Sequence, residues 1–554
     1  MQTVFEHKFW WFGIIAFVLF NLFIGATSMP LWEEDEAAYA AISQQMLVSG
    51  DWVNPNATWC EVHRKPPLHF WTILLSYKIF GVNEFATRLP SAISYLLLLF
   101  FLYWFTRRQF DPSIAALSVL ILASSFLVPN LAKIGMTDNG LLLVSTVAML
   151  AFYQYLKTPA LKWNAIVWLC VSLGVLIKGP PILILVLGTW GFLFLFAKDR
   201  KPLIRMHPWL WLPLALIPLL IWGYVSWQRD DGETVWFLLD WYILKRFTGE
   251  GHVFGQTGPP GYHLAVYLLA FLPWWAFFPK SLYTLFTNVR SRSTESLFFM
   301  GWLVFGWFFY ELMSSKLPSY SLAAMPGVAI LAAKTGMIAY KQETQDNWVK
   351  SGAVFTLLVS FFVMVAVVVA AHYLGGRTGM RRGVLIAALC WPLAMMGSVG
   401  LFSGKLKFGI PMSGIFGLMF TGLVWWLLGP FVGPRLSTSQ QITQQMVVEW
   451  PADTQIILGE GVKQMPGIPF YLSQHFKEVS YENMLEDAQE RYDSNEGQQL
   501  YIMGDYWYQR WNKEWESQGK TLEFSRQLTY NPITSKDTMH YWLIANFPSI
   551  QKYD

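Results

Sequence analysis

The chain has 554 residues, of which 54% are hydrophobic and 14% charged, and a formal net charge of +4. A soluble domain carries about 25% charged residues, so the composition excludes an ordinary globular enzyme, and the small net charge gives no electrostatic case for a nucleic-acid partner. Cys60, Cys170 and Cys390 are too few and too scattered for a disulfide framework or a cysteine metal cluster.

Apolar runs long enough to cross a bilayer recur through the first three quarters of the chain. In chain order the predicted spans are 9–28, 89–106, 113–131, 139–156, 163–177, 181–197, 208–226, 263–286, 297–313, 320–339, 351–372, 383–402 and 410–429, about thirteen helices. No small-residue cleavage pattern follows the first, which is read as a retained helix. The stretch 68–82 is apolar but short and is expected to lie against the membrane surface.

The loops sort by charge. "FTRRQFD", "KTPALK", "KDRKPLIRMHP", "NVRSRS", "KQETQDNWVK" and "SGKLKFG" are rich in Lys and Arg, which predicts a cytoplasmic location. The remaining loops, 29–88, 132–138, "IKGPP", 227–262, "SSKLPSY" and 373–382, then face outward, as does the tail. The division is a membrane domain over 1–432 and an outer α/β domain over 433–554. Within the latter "TQIILGE", "QQLYIMGD" and "HYWLIANF" read as strands, and "YENMLEDAQERY" and "YWYQRWNKEW" as helices.

The outward loops hold the chemistry-bearing residues. In "PLWEEDEAAYAAISQQMLVSGDW", Pro30 makes a turn, the acids open a helix and Gly50 ends it. The helix dipole accounts for Glu33 and Glu34; it does not account for Asp35 and Tyr39, one turn apart on one face at a depth where charge is costly. In "CEVHRKPPLHFW", Pro66 and Pro67 fix Arg64 and Lys65 in place; the alternative is a basic anchor at the headgroups. Asp138 in "KIGMTDNGLLL" starts a helix and reads either as a cap or as a site carboxylate. Lys178 and Lys316 stand in loops that the charge rule leaves poor in lysine, as site cations or interface anchors. The loop "WYILKRFTGEGHVFGQTGPPGYHLAVYL" adds Lys245, Arg246 and His252.

Carboxylates and fixed cations gathered at one membrane face suit a phosphate whose tail stays in lipid, with a carboxylate to take a proton from an attacking hydroxyl. The sequence holds no phosphate loop of the G-x-x-x-x-G-K-[ST] type and no convincing G-x-G-x-x-G, so no soluble nucleotide donor is implied. A lipid or sugar flippase is a competing reading, but transporters put their polar groups near mid-membrane, often in inverted repeats.

Taken in order, "PLWEEDEAAYAAISQQMLVSGDW", "RKPPLHFW", "FATRLPSA", "MTDNGLLL", "IKGPP", "KRFTGEGH" and "SSKLPSYSLAAMP" resemble the polytopic GT-C glycosyltransferases. Within them the likeness is to the bacterial lipid A aminoarabinose transferases and their relatives in the protein O-mannosyltransferase superfamily. It covers about 1–340 well and the rest in architecture only. The resemblance implies an α-helical polytopic GT-C fold, Asp35 and Asp138 as catalytic carboxylates, and Arg64, Lys65, Arg246 and Lys316 on the donor phosphate. It places Glu36, Tyr39, Lys178, His252 and Tyr320 along the substrate cavity. The implied donor is a sugar on undecaprenyl phosphate, transferred with inversion to lipid A or to a protein in the periplasm. The implied location is the bacterial inner membrane, among membrane lipids. The family has Glu where this chain has Arg64 and uses it in a metal site. With Arg there no metal ligand is assigned; a divalent metal stays an open option, with Glu61 and His63 as nearby substitutes.

Overall fold

The computed structural model describes residues 8–23, 29–33, 35–55, 64–245, 258–313, 315–342, 346–431, 437–445, 455–459, 465, 467–472, 476–478, 499–519, 525–530 and 539–545. Helix dominates down to residue 431. After α1 (Lys8–Phe23) come α2 (Asp35–Ser49) and α3 (Leu68–Phe80), which pair as a short helical layer before the long α4 (Glu84–Gln109). Pro66 and Pro67 delay α3 to Leu68, and Gly81, at φ 75°, ends it in a conformation that a side chain would strain. Asn83 then caps α4 by accepting from the Ala86 amide at 2.8 Å.

The bundle continues with α5 (Pro112–Ser124), α6 (Leu127–Leu131), α7 (Thr137–Lys157), α8 (Leu161–Ile177), α9 (Pro181–Phe196), α10 (Lys201–Arg205), α11 (Pro208–Asp230) and α12 (Glu233–Leu239). Beyond residue 258 come α13 (Tyr262–Ala270), α14 (Phe278–Val289), α15 (Thr294–Leu303), α16 (Met325–Gln342), α17 (Asn347–Phe402) and α18 (Leu406–Leu423). Between α15 and α16 runs a 3-10 helix, Pro318–Ala324. One large apolar core joins α4, α5, α7, α8, α15 and α16.

This is a multi-pass membrane protein, although its spans are less regular than the hydropathy suggests. Among the described residues six helices are long and apolar enough to cross a bilayer, or seven if one bent pair counts as a single span. Two expected spans are broken and a third changes pitch. The run 113–131 divides into α5 and α6, and 263–286 turns by 116° between α13 and α14. The run 297–313 passes through a π-helical stretch at Val304–Phe308. In the other direction, 373–382 is not an open loop. Residues 347–402 stay helical apart from Gly375 and Gly376, where φ of 56° at Gly376 reverses the chain. Hydropathy averages over a window and misses both effects, because a two-glycine reversal needs no polar residues.

The tail holds α19 (Thr438–Gln445), α20 (Gly467–Leu472), α21 (Asp505–Ser517) and a five-stranded sheet. Its strands are β1 (Gln455–Leu458), β2 (Phe476–Glu478), β3 (Gln499–Gly504), β4 (Ser525–Tyr530) and β5 (Met539–Ala545), ordered β2-β1-β3-β5-β4. β1 is parallel to β2 and β3, whereas β5 runs antiparallel to β3 and β4. The three expected strands and the Trp-rich helix are present; β2, β4 and α20 are additions. The helix expected at "YENMLEDAQERY" lies outside the described residues, as does the expected domain boundary at 433.

Candidate active site

The acidic run separates into unlike roles. Its helix begins at Asp35, so Glu33 precedes the first turn and is not there to satisfy the dipole. Glu33 instead accepts from the Ser439 amide at 2.8 Å, the Ser439 hydroxyl at 2.7 Å and the Gly467 amide at 3.1 Å, all in the C-terminal domain. Glu34 lies outside the described residues. Glu36 is 1% exposed. It receives Arg88 Nε at 2.8 Å and Nη2 at 3.0 Å, the Gly135 amide at 2.7 Å and the Trp32 amide at 2.8 Å. Arg88 completes itself on the Met29 and Pro30 carbonyls. Glu36, expected along the cavity, spends its carboxylate on fastening α2 to α4 and to the turn before α7. Tyr39 is also buried, edge-on to His69 and Phe70 in the α2–α3 core, because helical periodicity turns that face inward.

Asp35 has a different outlook. It lies within electrostatic reach of Lys178, which occupies the turn between α8 and α9. Lys178 donates to Asp138 Oδ1 at 2.9 Å and sits 6.0 Å from the centre of the Tyr320 ring. Burial alone would lower the pKa of the Lys178 ammonium, but the fields of Asp138, Tyr320 and Asp35 raise it. Asp138 stands in the first turn of α7 without capping it; the cap position is Met136 and makes no side-chain bond. Among the described residues Asp138 Oδ2 has no hydrogen-bond partner, nor do Thr137 Oγ1 and both amide ends of Asn139. Buried polar atoms are nearly always satisfied, so this helical turn has hydrogen-bonding capacity open to a ligand or to water.

Lys65, just before α3, and His69, in its first turn, approach next. Lys65, 7% exposed, sits 4.0 Å from the Tyr242 ring centre and donates to the Tyr242 hydroxyl. His69, four residues later, feels the charges of Asp138, Lys178 and Lys65. Burial pushes its pKa down to about 4, so the ring is neutral at physiological pH; it bonds to the Gly135 backbone, while Nε2 lacks a partner among the described residues. Sequence reasoning missed His69. The visible signal was its place four residues after Lys65, just past the two prolines in "RKPPLHFW".

The third arm is the 3-10 helix that carries Tyr320. Lys316, just before it, donates to the Pro259 carbonyl at 3.3 Å and lies 3.9 Å from Glu311, whose other oxygen is 3.6 Å from His263. Tyr310 and Tyr320, with ring centres 5.8 Å apart, link this arm to Lys178. Arg64 points elsewhere: it is 2% exposed and paired with Glu233 at 2.9 Å, beside the Phe237 ring. Lys245 pairs with Asp240 at 2.9 Å, while Arg246 and His252 lie outside the described residues.

The structure therefore brings Asp35, Lys65, Asp138, Lys178 and Tyr320 together and adds His69, while the contacts of Lys316 are with Pro259 and Glu311. Among the described residues no three His, Cys, Asp or Glu side chains converge as metal ligands, and Arg64 pairs with Glu233. Glu61 and His63 lie outside the described residues.

A family model for dolichyl-phosphate-mannose-protein mannosyltransferase matches residues 64–224. An undecaprenyl phosphate-alpha-4-amino-4-deoxy-L-arabinose arabinosyl transferase from Proteus mirabilis is 29% identical over 334 residues, covering 58% of this chain and 58% of that protein. The transferase of that name from Shewanella sediminis is 25% identical over 482 residues, covering 83% and 85%. Thus the chain spans less than two thirds of the first of these relatives, and more of the second. The crystal structure of ArnT from Cupriavidus metallidurans bound to undecaprenyl phosphate superposes with a TM-score of 0.73 at 21% identity, covering 98% of this chain and 99% of that one. An oligosaccharyltransferase from Archaeoglobus fulgidus gives 0.50 at 13% identity, covering 85% and 65%. The fold is the GT-C fold.

Proposed function

On the premise that this chain has the GT-C fold and is similar to the aminoarabinose transferases, we propose that it is an inverting glycosyltransferase. It moves a sugar, 4-amino-4-deoxy-L-arabinose or a close analogue, from undecaprenyl phosphate to lipid A. The protein lies in the bacterial inner membrane with Asp35 and the C-terminal domain on the periplasmic side, as the loop charges favour. The observation that carries this reading is the convergence of Asp35, Lys65, Asp138, Lys178 and Tyr320 from separate loops.

In the transfer the acceptor oxygen attacks the anomeric carbon from the face opposite the phosphate. The bond from that carbon to the phosphate oxygen breaks, and its electron pair leaves on undecaprenyl phosphate. Lys65 and Lys316 meet the growing phosphate charge. A hydroxyl acceptor gives its proton to Asp35; an acceptor phosphate is already ionised, and Asp35 then orients it or binds the sugar's ammonium. Asp138, held by Lys178, keeps one oxygen available for a sugar hydroxyl or amine. No step runs through a metal.

The test is reconstitution with undecaprenyl-phosphate aminoarabinose and lipid A, read by mass spectrometry. The intact protein adds the sugar increment, and Asp35→Asn does not while remaining folded. Wild-type transfer by that variant removes Asp35 from the mechanism. A second reading, transfer to a protein hydroxyl, is favoured by the mannosyltransferase match over 64–224; a sugar increment on envelope proteins and none on lipid A would select it.

A further inference from the structure

The tail reaches the catalytic helix at a definite point. Residues 31 and 33 bind it: the Leu31 amide donates to the Tyr471 hydroxyl at 2.7 Å, and Glu33 takes three hydrogen bonds from Ser439 and Gly467. Phe470 is buried in the α2–α3 core beside these contacts. The approach is close enough to require glycine at 467, where a Cβ would come within 2.9 Å of the Ser439 hydroxyl and 3.2 Å of the Ala37 methyl.

On the other side of Asp35, Glu36 is fastened to Arg88 and Gly135 in the membrane body. Asp35 thus sits between two clamps of different origin, Glu33 on the tail and Glu36 on the bundle. Glu36 fixes the depth of α2. The turn before Asp35 is fixed from the tail, and in that turn the Ala37 amide bonds to the Trp32 carbonyl at 3.0 Å. The aim of a carboxylate in a first helical turn depends on both.

We propose that Glu33 is a positioning residue through which the C-terminal domain sets the direction of Asp35, so that the tail is part of the catalytic apparatus. This rests on the transferase reading of Asp35. Misplacing a reacting group by about 1 Å costs on the order of a hundredfold in rate, whereas the phosphate grip just before α3 and beside the 3-10 helix is untouched. The cost therefore falls on kcat and leaves the donor KM unchanged.

The experiment compares Glu33→Gln, Ser439→Ala and their double variant with Asp35→Asn in the full-length protein. Ser439→Ala removes a single hydroxyl and covers the case in which Glu33→Gln folds poorly. The expected result is a kcat lower by about tenfold or more in each single variant, a donor KM within about twofold, and a double variant no slower than Glu33→Gln alone. Amide hydrogen exchange should rise over 31–39 and stay unchanged in β3. Wild-type kcat in both single variants beside an inactive Asp35→Asn overturns the positioning role and leaves the transferase reading standing. A parallel rise in KM overturns it too, since the clamp would then serve binding. An active Asp35→Asn removes the transferase reading instead. Unchanged exchange over 31–39 in both single variants removes the clamp whatever the activity.

Discussion

Lys178 donates to Asp138 Oδ1 at 2.9 Å from the turn between α8 and α9, while the second oxygen of that carboxylate stays unbonded among the described residues. A pair half used in this way orients a carboxylate and leaves it open. Lys178→Met strips the partner from a buried charge, which costs about 3 kcal/mol of stability or more, and should lower transfer by at least about a hundredfold. Thermal unfolding and a transfer assay check the two halves separately. Wild-type turnover in a folded variant would confine the pair to architecture.

Glu36 and Arg88 make the opposite case. Both are almost fully buried, and every oxygen of Glu36 is engaged. Glu36→Gln is expected to destabilise the protein by about 3–5 kcal/mol, visible as a lower melting temperature in detergent. A variant of wild-type stability that loses transfer would return Glu36 to the cavity wall.

His69 predicts a pH dependence. Its folded pKa is near 4 against an ordinary 6.5. Between those values the unfolded chain takes up a proton that the folded chain refuses, so stability falls as pH drops from about 6.5 to about 4 and levels off below. The total loss is on the order of 3 kcal/mol. His69→Gln should flatten that segment of the curve measured by denaturation; an unaltered slope would assign it to other groups.

Lys65 is held by the Tyr242 ring and hydroxyl next to two prolines. Lys65→Met should weaken binding of undecaprenyl phosphate about tenfold to a hundredfold, the worth of one charged hydrogen bond or two, as read by calorimetry. Tyr242→Phe keeps the ring and should cost less. Undiminished lipid binding in Lys65→Met would move the phosphate grip to Lys316.

The broad architecture was legible because long apolar runs and loop charges follow directly from bilayer physics. Asp35, Lys65, Asp138 and Lys178 drew notice in the sequence because ionisable groups at membrane depth need a reason to be there, and Tyr320 came with the family resemblance; their roles in transfer are part of the proposal. The burial of Glu36 and Tyr39 was not legible, since it depends on what packs across the helix, and Arg88 lies 52 residues from Glu36. Arg64 was grouped with Lys65 by adjacency, yet neighbouring residues diverge in direction, and Glu233, 169 residues away, claims it. Glu33 was read from the local helix dipole. Its partners stand in a domain whose docking no local pattern encodes.

The contacts of Glu33 also impose a schedule. Ser439 and Gly467 are made 406 and 434 residues after it, roughly 20–90 s later at 5–20 residues per second. By the end of that interval the nascent bundle already carries Lys65, Asp138 and Lys178, with the turn before Asp35 still unlatched. A ribosome that stalls after the bundle is made but before residue 439 leaves behind a membrane-inserted intermediate unable to close its own latch.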